Sequence, residues 1–318
     1  MLVVVPTLNE ARRLPCVLDA VLADAGDGRF LVVVCDGGSS DGTCAIAEAA
    51  AAAHPQVRLL HNPARLQSAA VNLALRTFGG RCDWLVRVDA HATYPADYVS
   101  RLIACARETG ADTVTTPMFS LGETCFQRAA AAAQNSRLGA GGSPHRKAGR
   151  SGWVDHGHHA LFRRAAFEGV GGYNEAFSHN EDAELDIRLR RAGARIWLAG
   201  DLAIGYYPRS EPIALFRQYM NHGSGRARTA RLHRTPLKAR QLLPLGVAPA
   251  AALALAGPWF WPAAIPAACW AALCLGYGLV LGARARDACA AASGLAAMIS
   301  HLGWSVGFWR RTLAPKTG

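Results

Sequence analysis

Two acidic clusters and a run of histidines carry most of the chemistry available to this sequence. The segment Trp84-Leu85-Val86-Arg87-Val88-Asp89-Ala90-His91 has the composition of a buried strand that ends in a carboxylate, a small residue and an imidazole. In an open α/β sheet, ligands bind in the crevice beyond the carboxyl ends of the strands. Asp89 and His91 would supply oxygen and nitrogen donors there, a set suited to Mg²⁺ or Mn²⁺, which bridge phosphate oxygens. A plainer reading makes Asp89 the cap of the next helix. The second cluster, His179-Asn180-Glu181-Asp182-Ala183-Glu184, opens a helix that ends in Arg188, Arg190 and Arg191. The helix macrodipole accounts for Glu184 and for the arginines. It accounts less well for the pair Glu181-Asp182. Between the clusters lie His156, His158 and His159. Neither a strand nor a helix aims all three at one ion, so hydrogen bonding or stacking around a substrate ranks ahead of metal ligation.

The elements that must position these residues are legible in hydrophobic period and turn chemistry. Apolar, β-branched runs at 2–5, 30–35, 57–60, 84–88 and 113–116 read as strands, and the first two are too continuously apolar for an exposed sheet. Helices follow from the apolar stripes after Pro15, over 44–53, over 68–77 and from Tyr98 to Ala106. Strands alternating with helices imply a mostly parallel sheet with right-handed crossovers. The turn-rich Asp36-Gly37-Gly38-Ser39-Ser40-Asp41-Gly42-Thr43 then falls on the same sheet edge as Asp89. No Gly-x-Gly-x-x-Gly follows the first strand and no P-loop is present, which counts against a dinucleotide oxidoreductase and a P-loop nucleotidase. A nucleotide site built from carboxylates and a metal remains. The Gly-, Ser-, Arg- and Lys-rich stretch 137–152 reads as a mobile loop over that site.

The charge is uneven. The net charge is +11, and eight basic residues between Arg209 and Arg240 face only Glu211. From Leu242 to Leu281 there is no charged residue at all. That length fits two spans, 242–261 and 262–281, turning at Pro258, Trp259, Trp261 and Pro262. The run 288–309 is a third candidate, although it would place Arg310, Arg311 and Lys316 opposite Arg284 and Arg286. A basic cluster beside a membrane span reads as cytoplasmic, so nucleic acid is not expected as a partner. The N-terminus lacks the pattern of a signal peptide. Nine scattered cysteines without a Cys-x-x-Cys pair argue against a disulfide framework and suit a reducing cytosol. The expectation is a catalytic domain over 1–235 followed by membrane-anchoring helices over 236–318.

Seven segments in this order resemble an inverting family 2 glycosyltransferase of the GT-A fold, nearest to the ExoA-type glucosyltransferases of succinoglycan biosynthesis. They are Val5-Pro6-Thr7-Leu8-Asn9-Glu10, the Asp36–Thr43 run, Arg65-Leu66-Gln67-Ser68-Ala69-Ala70-Val71-Asn72, Arg87-Val88-Asp89-Ala90-His91-Ala92, Val154-Asp155-His156-Gly157-His158-His159, the cluster 179–184, and Gly223-Ser224-Gly225-Arg226-Ala227-Arg228. The resemblance implies that Thr7, Glu10 and Asp36 hold the base and ribose of a nucleotide-sugar donor, with Arg65 and Asn72 nearby. It places Asp89 and His91 at the family's Asp-x-Asp position, where Mg²⁺ or Mn²⁺ sits on the diphosphate; His91 here replaces the second aspartate. Asp182 matches the catalytic base, Glu181 would orient the acceptor, and His156, His158 and His159 fall on the acceptor side. Arg226 and Arg228 would offset leaving-group charge, unless they serve lipid headgroups. The implied donor is a UDP-hexose, UDP-glucose by resemblance alone. The acceptor would be a lipid-linked saccharide, reached from the cytoplasmic face of the inner membrane. Transfer to polyprenyl phosphate and a non-catalytic membrane scaffold are the alternatives.

Overall fold

The computed structural model describes residues 1–25, 30–141 and 149–314. Residues 142–148 of the expected loop and Lys316 lie outside the described residues, as do the side chains of His159 and Arg240. The chain begins β1 (Leu2–Thr7), α1 (Leu14–Ala25), β2 (Leu31–Asp36), α2 (Thr43–Ala53), β3 (Val57–His61), α3 (Gln67–Phe78) and β4 (Trp84–Arg87). It continues with β5 (Ala92–Thr93), α4 (Tyr98–Thr109), β6 (Thr113–Thr116), β7 (Met118–Ser120), α5 (Cys125–Asn135) and α6 (Arg137–Ala140). Then come β8 (Gly152–Trp153), β9 (His158–Arg163), α7 (Arg164–Gly169), α8 (Glu181–Arg191), β10 (Ile196–Leu198) and β11 (Ile204–Tyr206). The rest is helical: α9 (Pro212–His233), α10 (Ala239–Leu245), α11 (Val247–Ala254), α12 (Ile265–Ala285), α13 (Ala288–Ala291) and α14 (Ser293–Leu313).

These elements form two compact units. Unit 1 comprises Met1–Phe119 and Lys147–Tyr206, and unit 2 comprises Ser120–Arg146 and Tyr207–Gly318.

Unit 1 is organised by an eight-stranded sheet of order β3-β2-β1-β4-β9-β6-β10-β8. β1, β2, β3 and β4 run parallel, and β9 lies antiparallel between β4 and β6. The chain winds outward from β1 to β3 and then returns to the other side of β1 as β4. Such a reversal opens a crevice at the carboxyl ends of the strands. Strand alternation divides the core between the two faces. Val3, Val5, Val32, Val34 and Val86 pack against α1 and α4, while Leu2, Val4, Val33, Cys35 and Leu85 pack against α3 and α8. Both faces are covered, which is why these strands read as continuous apolar runs.

Unit 2 is helical and uses small residues where unit 1 uses branched ones. A Cβ on Gly223 of α9 would collide with the Trp304 carbonyl of α14, and one on Gly307 would collide with the Met220 carbonyl. The two helices therefore approach backbone to backbone. Ala129, Ala130 and Ala133 of α5 pack with Ala296 and Ala297 of α14. Two sequence expectations meet a different structure here. The stretch 242–261 is not one helix: α10 and α11 are short, meet at Gly246, and give way to turns after Ala254. Cys125 and Cys289 form a disulfide across 164 residues, whereas the cysteines had been expected reduced. Their spacing in sequence gives no hint of this pair, because the close approach is created by tertiary helix packing.

Candidate active site

A cleft of about 180 Å³ opens where β1 and β4 end. Thr7 and Glu10 line it from the end of β1, Arg65 and Gln67 from the entry to α3, and Asp89 and His91 from the segment after β4. The sheet register explains much of this convergence. Thr7 pairs with Asp36, so β1 and β2 end at one level; Val4 pairs with Arg87, and continuing that parallel register by three residues brings Ala90, between Asp89 and His91, to the level of Thr7. β4 and β9 pair Val86 with Leu161. Extending that register by three residues on each side sets Asp89 opposite His158, and the His158 Nε2 lies 3.3 Å from the Asp89 Oδ2.

Asp89 is buried and densely held. Its Oδ1 accepts from Gln67 Nε2 at 2.5 Å and from Arg87 Nε at 3.0 Å. Its backbone N–H donates to the Tyr94 hydroxyl, which donates back to the Asp89 carbonyl. These backbone bonds are not those of a helix cap: α4 starts at Tyr98 and its cap position is Asp97. Burial opposes the charge on Asp89, but the Arg87 guanidinium and His158 overcome it and hold the carboxyl well below the usual range.

Arg87 is the residue around which the site closes. It is buried at the end of β4, and its Nη1 donates to Asp182 Oδ1 at 2.7 Å and to the Tyr173 hydroxyl at 2.9 Å. Tyr173 in turn donates to the same Asp182 oxygen at 2.8 Å. One guanidinium thus ties a carboxylate of the cleft to a carboxylate at the start of α8. A buried cation of this kind persists because it is paired on both sides. Burial penalises its charge, and Asp182 and Asp89 more than restore it. Glu181, next to Asp182, is pushed up to about 7 by burial first and by the Asp182 charge second.

The turn that presents Tyr173 is itself fastened. Asn72 Nδ2 donates to the Tyr173 carbonyl, and Asn72 Oδ1 accepts the Tyr173 N–H. The side chain expected beside the nucleotide therefore spends its donors and acceptor on this turn, and it does not line the cleft. Arg188 secures the same turn, donating to the Val170 and Gly172 carbonyls while forking onto Glu184. Asp36 is likewise turned to its own loop, where it accepts from the Gly38 and Ser39 N–H groups and from the Ser39 hydroxyl. Burial raises the pKa of Asp36, but those bonds outweigh it and hold the carboxyl below the ordinary carboxylate value. Gly37 lies close beside it, where a Cβ would meet Arg65 Cα and the Thr7 carbonyl at 3.4 Å.

His91 points to Glu10, with Nδ1 3.4 Å from Oε1, and its ring meets Tyr206 edge-on. Among the described residues no group of three or more His, Cys, Asp or Glu side chains converges as a cation cage. The donor set nevertheless suits Mg²⁺ or Mn²⁺ brought with a diphosphate, since such ions take one or two protein ligands and complete their shell with phosphate oxygens and water. His158 stands between the clusters, its Nδ1 3.9 Å from Asp182 Oδ2. His156, between β8 and β9, bonds at 2.5 Å to the buried Asp186, one helical turn beyond Asp182 on α8. Arg226 and Arg228 belong to α9 of unit 2.

Sequence reasoning gave no role to Arg87, Tyr173, Gln67 or Asp186. Arg87 did carry a signal: a lone arginine inside Trp84–Val88, a run otherwise suited to complete burial, requires buried partners. Nothing local marks Tyr173, 86 residues away from Arg87.

The profile of the family described as "Glycosyl transferase family 2" matches residues 2–171. The chain is 48% identical over 312 residues, 98% of its length and 94% of the relative's, to the succinoglycan biosynthesis protein ExoA of Rhizobium meliloti strain 1021. It is 36% identical over 114 residues, 35% of its length and 42% of the relative's, to the polyprenol monophosphomannose synthase of Mycolicibacterium smegmatis. Among solved structures, the mannosyltransferase PcManGT from Pyrobaculum calidifontis, in complex with GDP-Man and Mn²⁺, aligns over 95% of this chain and 86% of its own, with a TM-score of 0.57 and 22% identity. A crevice of carboxylates at a parallel sheet edge, that structural likeness and a profile covering more than half the chain lead to one statement: the chain belongs to glycosyl transferase family 2 and its catalytic unit has the GT-A fold.

Proposed function

We propose that the chain is an inverting hexosyltransferase that moves glucose from UDP-glucose onto a lipid-linked saccharide during exopolysaccharide assembly. The observation that carries this reading is the Arg87 junction, which brings the cleft carboxylate Asp89 and the helix-start carboxylate Asp182 onto one guanidinium. The near full-length likeness to a succinoglycan biosynthesis protein supports the choice of pathway, and the choice of sugar rests on that likeness alone.

In this reading Thr7, Glu10 and Arg65 contact the nucleotide. Asp89 and His91 would hold Mg²⁺ or Mn²⁺ on the diphosphate, where such an ion offsets charge on the leaving group. Asp182 acts as general base. Arg87 and Tyr173 fix its Oδ1, and Oδ2 takes the proton of the acceptor hydroxyl as that oxygen attacks the anomeric carbon opposite the departing diphosphate. Glu181 orients the acceptor, protonated for part of the neutral range because burial raises its pKa to about 7. His156 and His158 contact the acceptor. The work takes place at the cytoplasmic face of the inner membrane.

The test is transfer by the detergent-purified full chain from UDP-glucose to a lipid-linked saccharide, with and without Mg²⁺, Mn²⁺ and a chelator. A metal-dependent product of inverted anomeric configuration is expected. Product formed only on polyprenyl phosphate would replace this reading with the alternative that the partial likeness to a polyprenol monophosphomannose synthase favours. No transfer from any nucleotide sugar would leave a scaffold.

A further inference from the structure

We infer that unit 2 enters only one leaflet of a bilayer, through an apolar plateau made by α11, the 255–260 turn and α12, and that none of its helices crosses the membrane. This inference rests on the membrane reading above and settles its mode.

α12 and α14 each have 21 residues, about 31 Å of helix, and either is long enough to cross a hydrocarbon core of about 30 Å. Their surroundings differ. Half of the apolar window of α14 is buried, against 11% for α12. The cover over α14 is protein of a kind that hydrocarbon rejects. α9 packs on it along Gly223, Gly303 and Gly307, so closely that no side chain intervenes. α9 carries Arg217, Arg226, Arg228 and Arg231. At about 2.5–3.5 kcal/mol for each arginine at the centre of a membrane, taking α9 across with α14 would cost on the order of 10 kcal/mol. α14 is also held as an interior helix would be. His301 lies 2.9 Å from the Leu138 carbonyl, Ser305 donates to the Leu245 carbonyl, and Trp309 Nε1 donates to the same carbonyl.

α12 cannot cross alone, because its inner stripe is committed to α13 and α14. Cys274, Gly278 and Gly282 are its buried residues, and a Cβ on Gly278 or Gly282 would strike the backbone of Gly294 or Ala291. The opposite face is bare and wholly apolar. Leu273 is 73% exposed and Leu279 64%, and the adjoining turn shows Trp259, Phe260 and Trp261 at 87%, 63% and 73%. A face this large and continuous is not that of a water-facing monomer. Its occupant is the acyl region of one leaflet, with the aromatic turn at headgroup level. Arg284 and Arg286 end α12, and Arg310 and Arg311 end α14. With no crossing, every one of these arginines stays on the side of the basic stretch 209–240. Three spans would divide them.

The experiment uses the full chain in spheroplasts, with an epitope placed after Ala314, between Arg286 and Asp287, or in the 255–260 turn. All three are expected to bind antibody only after permeabilisation, while the protein resists a high-salt wash. Any epitope reached in intact spheroplasts overturns the one-leaflet placement and leaves membrane attachment standing. Release by high salt overturns the membrane reading itself. In parallel, Leu273→Glu with Leu279→Glu places two charges on the outer face and leaves the packed stripe alone. At least a tenfold shift toward the soluble fraction is expected, with UDP binding retained; unchanged membrane retention of this variant overturns the assignment of the plateau to lipid.

Discussion

Unit 1 organises its site around buried, paired charge, whereas unit 2 closes its α9–α14 seam on bare backbone, and each holds its elements together accordingly. At the cleft, Arg87, Asp89 and Asp182 are fixed by direct ion pairs, and Tyr173, Gln67 and Asn72 fix them in turn. In unit 2 the corresponding work is done by the absence of side chains, with glycine and alanine letting α5, α9 and α14 meet. The lesson is one of solvent. Paired charge is worth organising where a polar ligand must be read, and close backbone packing serves where a face is to be left wholly apolar.

The contrast breaks most visibly at Arg87. Arg87→Met keeps the volume and removes the cation, leaving Asp89 and Asp182 buried side by side without it. A loss of about 3–5 kcal/mol in stability is expected, from the cost of an uncompensated buried charge. Chemical denaturation reads it, and a loss below about 1 kcal/mol would show that the junction is not a paired core. Next comes Asp182→Asn, which keeps the shape and one acceptor oxygen but cannot take a proton. Transfer should fall by at least about two orders of magnitude while UDP-sugar affinity stays near normal. Near wild-type turnover in a stable protein would remove Asp182 from the mechanism. On the unit 2 side, Gly307→Val forces a side chain against the Met220 carbonyl. An overpacking loss of about 1–3 kcal/mol is expected; an unchanged melting curve would mean that the helices separate freely.

The smallest effect is a pH slope. The folded-state pKa of Glu181 is raised from 4.5 to about 7, so folding favours its protonated form. Its contribution to stability is complete below about pH 4.5 and is lost as pH rises toward 7. Glu181→Gln should flatten that part of the melting-temperature profile and leave the rest unchanged. An unaltered slope would place the titration elsewhere.

Much of unit 1 was legible because local signals agree. Val3, Val32 and Val86 lie in runs whose length and branching permit little besides buried strands, and Asp36 and Asp89 end strands that a doubly wound sheet must bring to one edge. The position of Asp89 at that edge, lining the cleft, was readable for the same reason. The role of Asn72 was not, since an amide in a helix gives no sign of whether it faces a ligand or a backbone turn 101 residues away. In unit 2, composition could not separate α12 from α14, because apolar periodicity reports what a helix avoids and not what covers it. The Cys125–Cys289 bridge was unreadable on similar grounds. Only seven of the nine cysteines are free in the fold.

The place of α14 in the chain has a consequence for synthesis. The helix on which α5, α9 and α12 all pack is made after each of them, and Cys125 of α5 is made 164 residues before its disulfide partner. At roughly 5–20 residues per second the wait is on the order of ten seconds. Throughout that interval the alanine face of α5 lacks α14 to pack on, and the glycine seam of α9 lacks it from the time α9 is made. A chaperone, or early contact of α11 and α12 with the bilayer, must cover this interval. For the same reason a chain truncated near Arg240 would carry both unfinished surfaces permanently.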